Sequence, residues 1–253
     1  MSYLCVGLDI SAESLGSSSL MDLKDHAKQV VDNTRDLAAA YKPNFAFYER
    51  FGSEGYALLE RIVDYVSGRA IIIADAKRGD IGNTSNQYAR AILNTMGCDA
   101  ITVSPYMGRD AIKPFINNLD KGVFILAVTS NPSAREMQEH GGGADPLYKK
   151  VIQLAVELNT DDNIGLVVGA TQIEVMEDIR KQSKGMPWLI PGVGSQGGDL
   201  ETALNISHVN GIGIINISRG ILYAGNGSMK AVIQAARDYS DKIQGIVCDP
   251  VNC

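Results

Sequence analysis

The segment AIIIADAK, residues 70–77, is a continuous apolar run that ends in charged residues. Seven other short apolar runs occur along the chain, and segments with helical spacing of apolar residues separate them. Apolar strands that alternate with helices are typical of a parallel sheet covered on both faces. The predicted strands are 4–9, 42–48, 70–77, 100–105, 122–130, 164–171, 186–193 and 211–218.

Eight such units in 253 residues predict an α/β fold of the (β/α)8 TIM-barrel class. Barrels of this length commonly form one domain, and no linker or change of composition divides the chain. We therefore expect residues 1–253 to form a single catalytic domain. A doubly wound open sheet is the alternative, because periodicity does not show whether a sheet closes.

The composition, with 45% hydrophobic and 21% charged residues, is that of an ordered globular protein. A net charge of −6 gives no general positive charge that would attract nucleic acid or acidic lipid. The start of the chain lacks a basic region before its apolar run, and no run approaches the ~18 residues of a membrane span. We expect a cytoplasmic protein that binds neither nucleic acid nor membrane.

The cysteines and histidines lack the spacing of metal ligands. There is no CxxC pair and no HExxH motif. The sequence therefore predicts no metal site.

Polar residues stand where the predicted strands end, except that Lys42 lies at the start of the second one. Active sites of TIM barrels lie at the carboxyl ends of the strands, so these residues are candidates for one site. They are Asp9, Lys42, Asp75, Lys77, Ser130, Gln196 and Arg219.

Asp75 and Lys77 are two positions apart, so on a strand their side chains emerge on one face, and Asp80 follows in the next loop. Burying one charge alone is costly, whereas alternating cations and carboxylates offset part of that cost. A protonated lysine can give its proton to a carbanion. Asp75 or Asp80, facing a substrate anion, can disfavour the bound ground state. A salt-bridged strand end without chemistry is the alternative.

Two glycine-containing segments, PGVGSQGGD at 191–199 and ISRGI at 217–221, follow the seventh and eighth strands. Loops at these positions are the usual phosphate site of this barrel, and glycines let backbone N–H groups approach an anion. In the alternative interpretation the glycines only shape turns and Arg219 pairs with a surface acid. The predicted ligands of a phosphorylated substrate are Pro191, Gly192, Gly194, Gln196, Ser218 and Arg219.

The polar segment 131–146 contains three consecutive glycines. A long loop of this kind is either a lid over the site or a mobile surface insertion, and the sequence leaves both open.

The motifs DAKRGDIGNT, PGVGSQGGD and SRGI resemble those of the orotidine 5'-monophosphate decarboxylase family, and the resemblance runs from GLD at 7–9 to SRGILYAG at 218–225. It implies a cofactor-free decarboxylation of orotidine monophosphate to uridine monophosphate in pyrimidine synthesis, by a homodimer. Ser218 departs from some relatives, which have glycine there.

The resemblance also implies a role for each matching residue. Asp75 faces the leaving carboxylate and Lys77 protonates C6 of the pyrimidine. The remaining roles are the charged network for Lys42, ribose for Asp9, the pyrimidine for Ser130, phosphate for Gln196 and Arg219, and ribose contact across the dimer interface for Asp80 with Ile81 and Thr84.

Two other functions stay open. The DxKxxD element is shared with magnesium-dependent decarboxylases and aldolase-like synthases of sugar phosphates, which a chelator would inhibit. A non-catalytic barrel that binds a nucleotide or sugar phosphate would need only the phosphate loops.

Overall fold

The computed structural model describes residues 2–142, 145–194 and 197–248. Its parallel strands pair in chain order, and the last strand pairs with the first, which confirms the predicted (β/α)8 barrel. The strands are β1 (Leu4–Gly7), β2 (Ala40–Lys42), β3 (Ile71–Arg78), β4 (Ala100–Val103), β5 (Gly122–Val128), β6 (Ile164–Val168), β7 (Trp188–Ile190) and β8 (Gly213–Ile217).

Helices surround the barrel and bury their apolar faces against the outside of the strands. In the described part of the chain, no helix combines the length and hydrophobicity needed to cross a bilayer. The helices are α1 (Ala12–Leu15), α2 (Leu20–Thr34), α3 (Ala46–Glu49), α4 (Gly52–Val66), α5 (Gly82–Ala89), a π-helix (Arg90–Thr95), α6 (Arg109–Ile116), α7 (Ala134–Gln138), α8 (Leu147–Leu158), α9 (Ile173–Gln182), α10 (Leu200–Ser207), α11 (Arg219–Leu222), a 3-10 helix (Ala224–Gly227) and α12 (Met229–Val247).

A second apolar cluster, separate from the helix-facing core, takes a residue from each of β1 to β7, and Ile214 of β8 packs against it. Because it draws on every strand and contains no helical residue, this cluster fills the barrel interior. Its buried members are Cys5, Ala40, Ile73, Ala100, Phe124, Val167 and Leu189.

A polar layer lies next to this interior cluster, which we call the apolar floor, on the side of the carboxyl ends of the strands. Side chains alternate along a strand, so a residue two positions after an interior residue also faces inward. Lys42, Asp75, Thr102 and Asn216 follow Ala40, Ile73, Ala100 and Ile214 in this way. The fold therefore places four polar side chains in one ring above the apolar floor.

The prediction of a strand over 42–48 was wrong in its position. The strand ends at Lys42, because Pro43 has no N–H to continue a ladder, and Asn44 makes only an isolated bridge to Asp75. The apolar run continues as helix α3, whose Tyr48 is buried. A short apolar run does not distinguish a strand from a buried helical turn.

The segment 131–146 is not a loop without secondary structure, since it contains α7. The side-chain amide of Gln138, at the end of α7, bonds twice to Thr129 beyond β5. Its Oε1 accepts from the backbone N–H at 2.9 Å, and its Nε2 donates to the hydroxyl at 2.8 Å. The described part of the segment is thus tied to the strand end that carries Ser130.

Candidate active site

Three strands bring a chain of charges together at the carboxyl end of the barrel. Asp75 lies at its centre: its Oδ2 accepts from Lys42 Nζ at 2.7 Å, and its Oδ1 accepts from Lys77 Nζ at 2.5 Å. Asp9 extends the chain, with its Oδ1 3.8 Å from Lys42 Nζ. The spacing of Asp75 and Lys77 predicted their proximity, and the fold adds Lys42 and Asp9 from β2 and from the loop after β1.

The members of this cluster differ in exposure. Lys42 and Asp75 are buried, whereas the side chain of Lys77 is half-exposed and faces the open end of the barrel. Burial alone would raise the pKa of Asp75, but attraction to Lys42 and Lys77 outweighs it and holds that pKa well below its usual range. Burial also opposes the charge of Lys42, yet Asp9 and Asp75 hold its pKa above the ordinary value. Asp75 and Lys42 are therefore both charged at neutral pH.

We expect Asp75→Asn to lower the free energy of unfolding by about 3 kcal/mol at pH 7, because it leaves the buried ammonium of Lys42 undercompensated. Since the pKa of Asp75 is depressed in the folded state, its contribution is present above the unfolded pKa of about 3.9 and is lost as the pH falls further. The difference between variant and wild type should therefore shrink in acid. Urea denaturation at a series of pH values measures it.

Asp178→Asn is the matched control for this experiment. Asp178 also forms an ion pair with a lysine, but on the protein surface: its Oδ2 lies 2.9 Å from Lys149 Nζ. An exposed pair of this kind contributes no more than about 1 kcal/mol. Equal losses in the two variants would contradict the view that burial makes Asp75 stabilising.

The backbone at Lys77 is unusual. Its φ of +45° lies in the left-handed region, which residues other than glycine seldom adopt. The pairing of β3 with β4 shifts register between Ala74 and Arg78, so Lys77 lies within a bulge. Bulges re-aim side chains near active sites, and here the bulge turns the ammonium of Lys77 back onto Asp75.

Asp9 is held by a residue that sequence reasoning missed. The Tyr223 hydroxyl donates to the carbonyl of Asp9 at 3.0 Å and accepts from the N–H of Ser11 at 2.5 Å. Tyr223 directly follows α11, so it joins the loop after β1 to the segment after β8. The Oδ1 of Asp9 is buried and has no hydrogen-bond donor among the described residues, whereas the side chain as a whole is 17% exposed, so a ligand can reach its carboxylate.

Asp80, Ile81 and Thr84 lie beyond the end of β3, and among the described residues none of them is hydrogen-bonded to the charged cluster. The Oδ1 of Asp80 accepts from the N–H of Ile81 at 2.7 Å, and Ser85 bonds to the Asp80 backbone. Ile81 and Thr84 are exposed at the start of α5.

The two predicted phosphate segments are adjacent. After Pro191, Gly192 and Gly194 have φ values of +96° and +71°, which a side chain would strain. A methyl group added to Gly194 would lie 3.0 Å from the Tyr239 hydroxyl oxygen, and one added to Gly220 would lie 2.9 Å from the same atom. The loop after β7 and helix α11 therefore meet at one hydroxyl. Gln196 lies outside the described residues.

Arg219 is the first residue of α11, and its side chain is exposed. Within the described ranges, none of the ion pairs involves Arg219. Ser218 precedes it, and its carbonyl accepts from the N–H groups of Ile221 and Leu222. The guanidinium is thus left available to an anionic ligand beside the glycine loop.

Ser130 is half-buried just beyond β5. Its carbonyl accepts from the Thr171 hydroxyl at 3.3 Å, so its backbone is fixed against the loop after β6. No grouping of three or more His, Cys, Asp or Glu side chains suited to a metal ion occurs among the residues that the structure describes.

Comparison with known proteins agrees with this arrangement. Residues 2–236 match the family described as Orotidine 5'-phosphate decarboxylase / HUMPS family. The chain belongs to this family. Its relatives are orotidine 5'-phosphate decarboxylases, which are carboxy-lyases, so the prediction that this chain is a carboxy-lyase is confirmed.

Individual members of the decarboxylase family are similar over nearly their whole length. An orotidine 5'-phosphate decarboxylase of Dehalococcoides mccartyi strain CBDB1 is 44% identical over 252 residues, which cover 96% of this chain and 92% of that one. Its counterpart from Haloarcula marismortui is 43% identical over 231 residues, 88% of this chain and 83% of that one. The structure of Leishmania donovani OMP decarboxylase has a TM-score of 0.86 at 34% identity, covering 97% of this chain and 94% of that one.

Proposed function

We propose that this protein converts orotidine 5'-monophosphate to uridine 5'-monophosphate in pyrimidine synthesis, with Lys77 as the proton donor. The observation that carries the proposal is the array in which one buried carboxylate, Asp75, lies between the ammonium groups of Lys42 and Lys77. The names of the relatives support the substrate.

In the proposed reaction, the bond between C6 and the carboxylate carbon breaks, carbon dioxide leaves, and the electron pair stays on C6. Asp75 faces the leaving carboxylate, and its negative charge disfavours the bound ground state more than the transition state. Lys77 then transfers a proton from Nζ to C6. Because Lys42 and Asp75 are buried and hydrogen-bonded, their charges do not need to reorganise as the carbanion forms.

Other groups hold the parts of the substrate that do not react. The carboxylate of Asp9 accepts from a ribose hydroxyl, and Arg219 with the glycine loop binds the phosphate. Ser130 contacts the pyrimidine. Binding energy from the phosphate contributes to orientation at C6.

We further propose a homodimer in which Asp80, Ile81 and Thr84 complete the site of the partner. The surface around these residues supports an interface, because it exposes large apolar side chains at the ends of β3 and β4. Ile81 is 59% exposed, and Tyr106 and Met107 are 78% and 46% exposed. Exposed apolar side chains that cluster on a surface mark interaction sites.

We expect Ile81→Asp to convert the dimer to monomers in sedimentation velocity, because an aspartate at an apolar interface loses its hydration. Turnover should then be abolished, because Asp80 and Thr84 no longer complete the site of the partner. Leu119→Asp is the matched control. Leu119 is 61% exposed, but it precedes β5 at the opposite end of the barrel. A dimeric, fully active Ile81→Asp protein would rule out this interface.

The function itself is tested by incubating the purified protein with orotidine monophosphate and excess chelator and following ultraviolet absorbance. Conversion to uridine monophosphate establishes the decarboxylase and excludes a requirement for magnesium. No conversion by folded protein contradicts the proposal. In that case, assays of sugar-phosphate substrates with magnesium, and binding of a nucleotide without turnover, separate the synthase from the non-catalytic barrel.

A further inference from the structure

Thr102 is a buried hydroxyl in an otherwise apolar strand. It belongs to β4, whose sequence is AITV, and it is 1% exposed. It faces the barrel interior because it follows Ala100, a member of the apolar floor, by two positions. The mechanism proposed above does not use it.

The hydroxyl connects the two central groups of the site. It accepts from the backbone N–H of Lys77 at 3.0 Å and lies 3.1 Å from Oδ1 of Asp75. The direction of both bonds is fixed, because an amide N–H can only donate and an ionised carboxylate can only accept. The single hydroxyl proton of Thr102 therefore points at Asp75.

The bond from the Lys77 amide to Thr102 compensates for the bulge in β3. The register between β3 and β4 shifts at the bulge, and the amide of Lys77 finds its partner in a side chain of β4. A non-glycine residue with φ of +45° persists only where its surroundings fix it. The hydroxyl of Thr102 is one such restraint, and it acts on the residue that carries the reacting ammonium.

The second bond of this hydroxyl, which it donates to Asp75, completes the hydrogen bonding of that carboxylate. Its Oδ2 accepts from Lys42, while its Oδ1 accepts from both Lys77 and Thr102. Without the hydroxyl, the flexible side chain of Lys77 would be the one hydrogen-bond donor to Oδ1 among the described residues. Thr102 thus supplies a short, rigid donor where the other two donors are long side chains.

We propose that Thr102 is a positioning residue that sets the geometry of Asp75 relative to Lys77, through one hydroxyl bonded to the carboxylate of the first and the amide of the second. The inference rests on the proposed function, since its kinetic effect is on decarboxylation. Thr102 acts through its two partners and is not assigned a contact with the substrate.

Thr102→Val removes the hydroxyl and keeps the branched shape, so it tests the inference directly. We expect kcat to fall roughly 100-fold, the effect of a small displacement of catalytic groups, while KM changes little. Thr102→Ser keeps the hydroxyl and should restore most of kcat. Turnover of Thr102→Val equal to wild type, or no recovery in Thr102→Ser, overturns the inference.

Thr34→Val controls for the loss of a buried threonine hydroxyl. Thr34 is fully buried in α2, where its hydroxyl bonds to the Val30 carbonyl and to the Tyr41 hydroxyl. We expect this variant to lose stability but not kcat. A similar fall of kcat in Thr34→Val and Thr102→Val would show a general effect of destabilisation and contradict the positioning role.

A second readout does not depend on turnover. Hydrogen exchange of the Lys77 amide, followed by NMR, should accelerate in Thr102→Val and stay slow in Thr102→Ser and Thr34→Val. Unchanged exchange in Thr102→Val overturns the inference even if kcat falls. If wild-type protein does not convert orotidine monophosphate, the proposed function fails, whereas the exchange experiment still decides whether Thr102 fixes Lys77.

Discussion

Lys77→Ala should abolish turnover of orotidine monophosphate while the barrel stays folded. The variant lacks the half-exposed ammonium that is 2.5 Å from Asp75 Oδ1 and that we assign as the proton donor. A general acid contributes up to about 10⁴-fold, and we expect a loss at the upper end of this range. Steady-state kinetics measure the loss, and circular dichroism with a uridine monophosphate titration shows that fold and binding persist.

A double variant separates proton donation from simple charge balance. If Lys77 only neutralised Asp75, then Lys77→Ala combined with Asp75→Asn would recover turnover relative to Lys77→Ala alone. A proton donor predicts no recovery. Lys149→Ala, which removes another lysine from an ion pair at the surface, should leave kcat unchanged. Near-normal turnover in Lys77→Ala would contradict the proton-donor role.

The second large effect is expected from the substrate. Orotidine, which lacks the phosphate, should lose at least about 10³-fold in kcat/KM, since two charge-assisted hydrogen bonds at about 2 kcal/mol each correspond to that factor. Part of the loss should fall on kcat, because remote binding energy is used to orient the reacting carbon. Equal kcat for nucleoside and nucleotide would remove this argument.

Arg219→Ala assigns the effect to a residue. With the nucleotide, the variant should lose roughly 30-fold in kcat/KM, the equivalent of one charge-assisted bond of about 2 kcal/mol. With the nucleoside it should lose almost nothing, because the partner of the guanidinium is already absent. Arg237→Ala, on the exposed face of α12, is the control for removing an arginine. Equal losses on both substrates would place Arg219 away from the phosphate.

Much of the architecture was predictable, because the apolar runs carry two kinds of information. Their alternation with helical segments gave the barrel, and the polar residues at their ends located Asp75 and Lys77. The boundaries were less predictable. The run at 42–48 supplies one strand residue and then a buried helical turn, and burial selects the same residue types for both. That residues 1–253 form one domain stays a prediction.

The site residues that sequence reasoning missed act through geometry. Thr102 could have been found by applying the two-residue alternation from Ala100, but a threonine inside an apolar strand is ordinary. Tyr223 bonds to the backbone of Asp9, more than two hundred positions away, which no local pattern reveals. The same is true of the bulge, which depends on how β3 meets β4.

The left-handed backbone of Lys77 also bears on how this protein would decay if selection on its chemistry ceased. Glycine adopts a positive φ without steric cost, and asparagine adopts it more readily than lysine does. A descendant relieved of catalysis would relieve this backbone strain by replacing residue 77 with either, at the cost of the ion pair with Asp75. Glycine or asparagine at this position, in a chain that keeps the barrel, would therefore mark a lineage in which the activity was lost early.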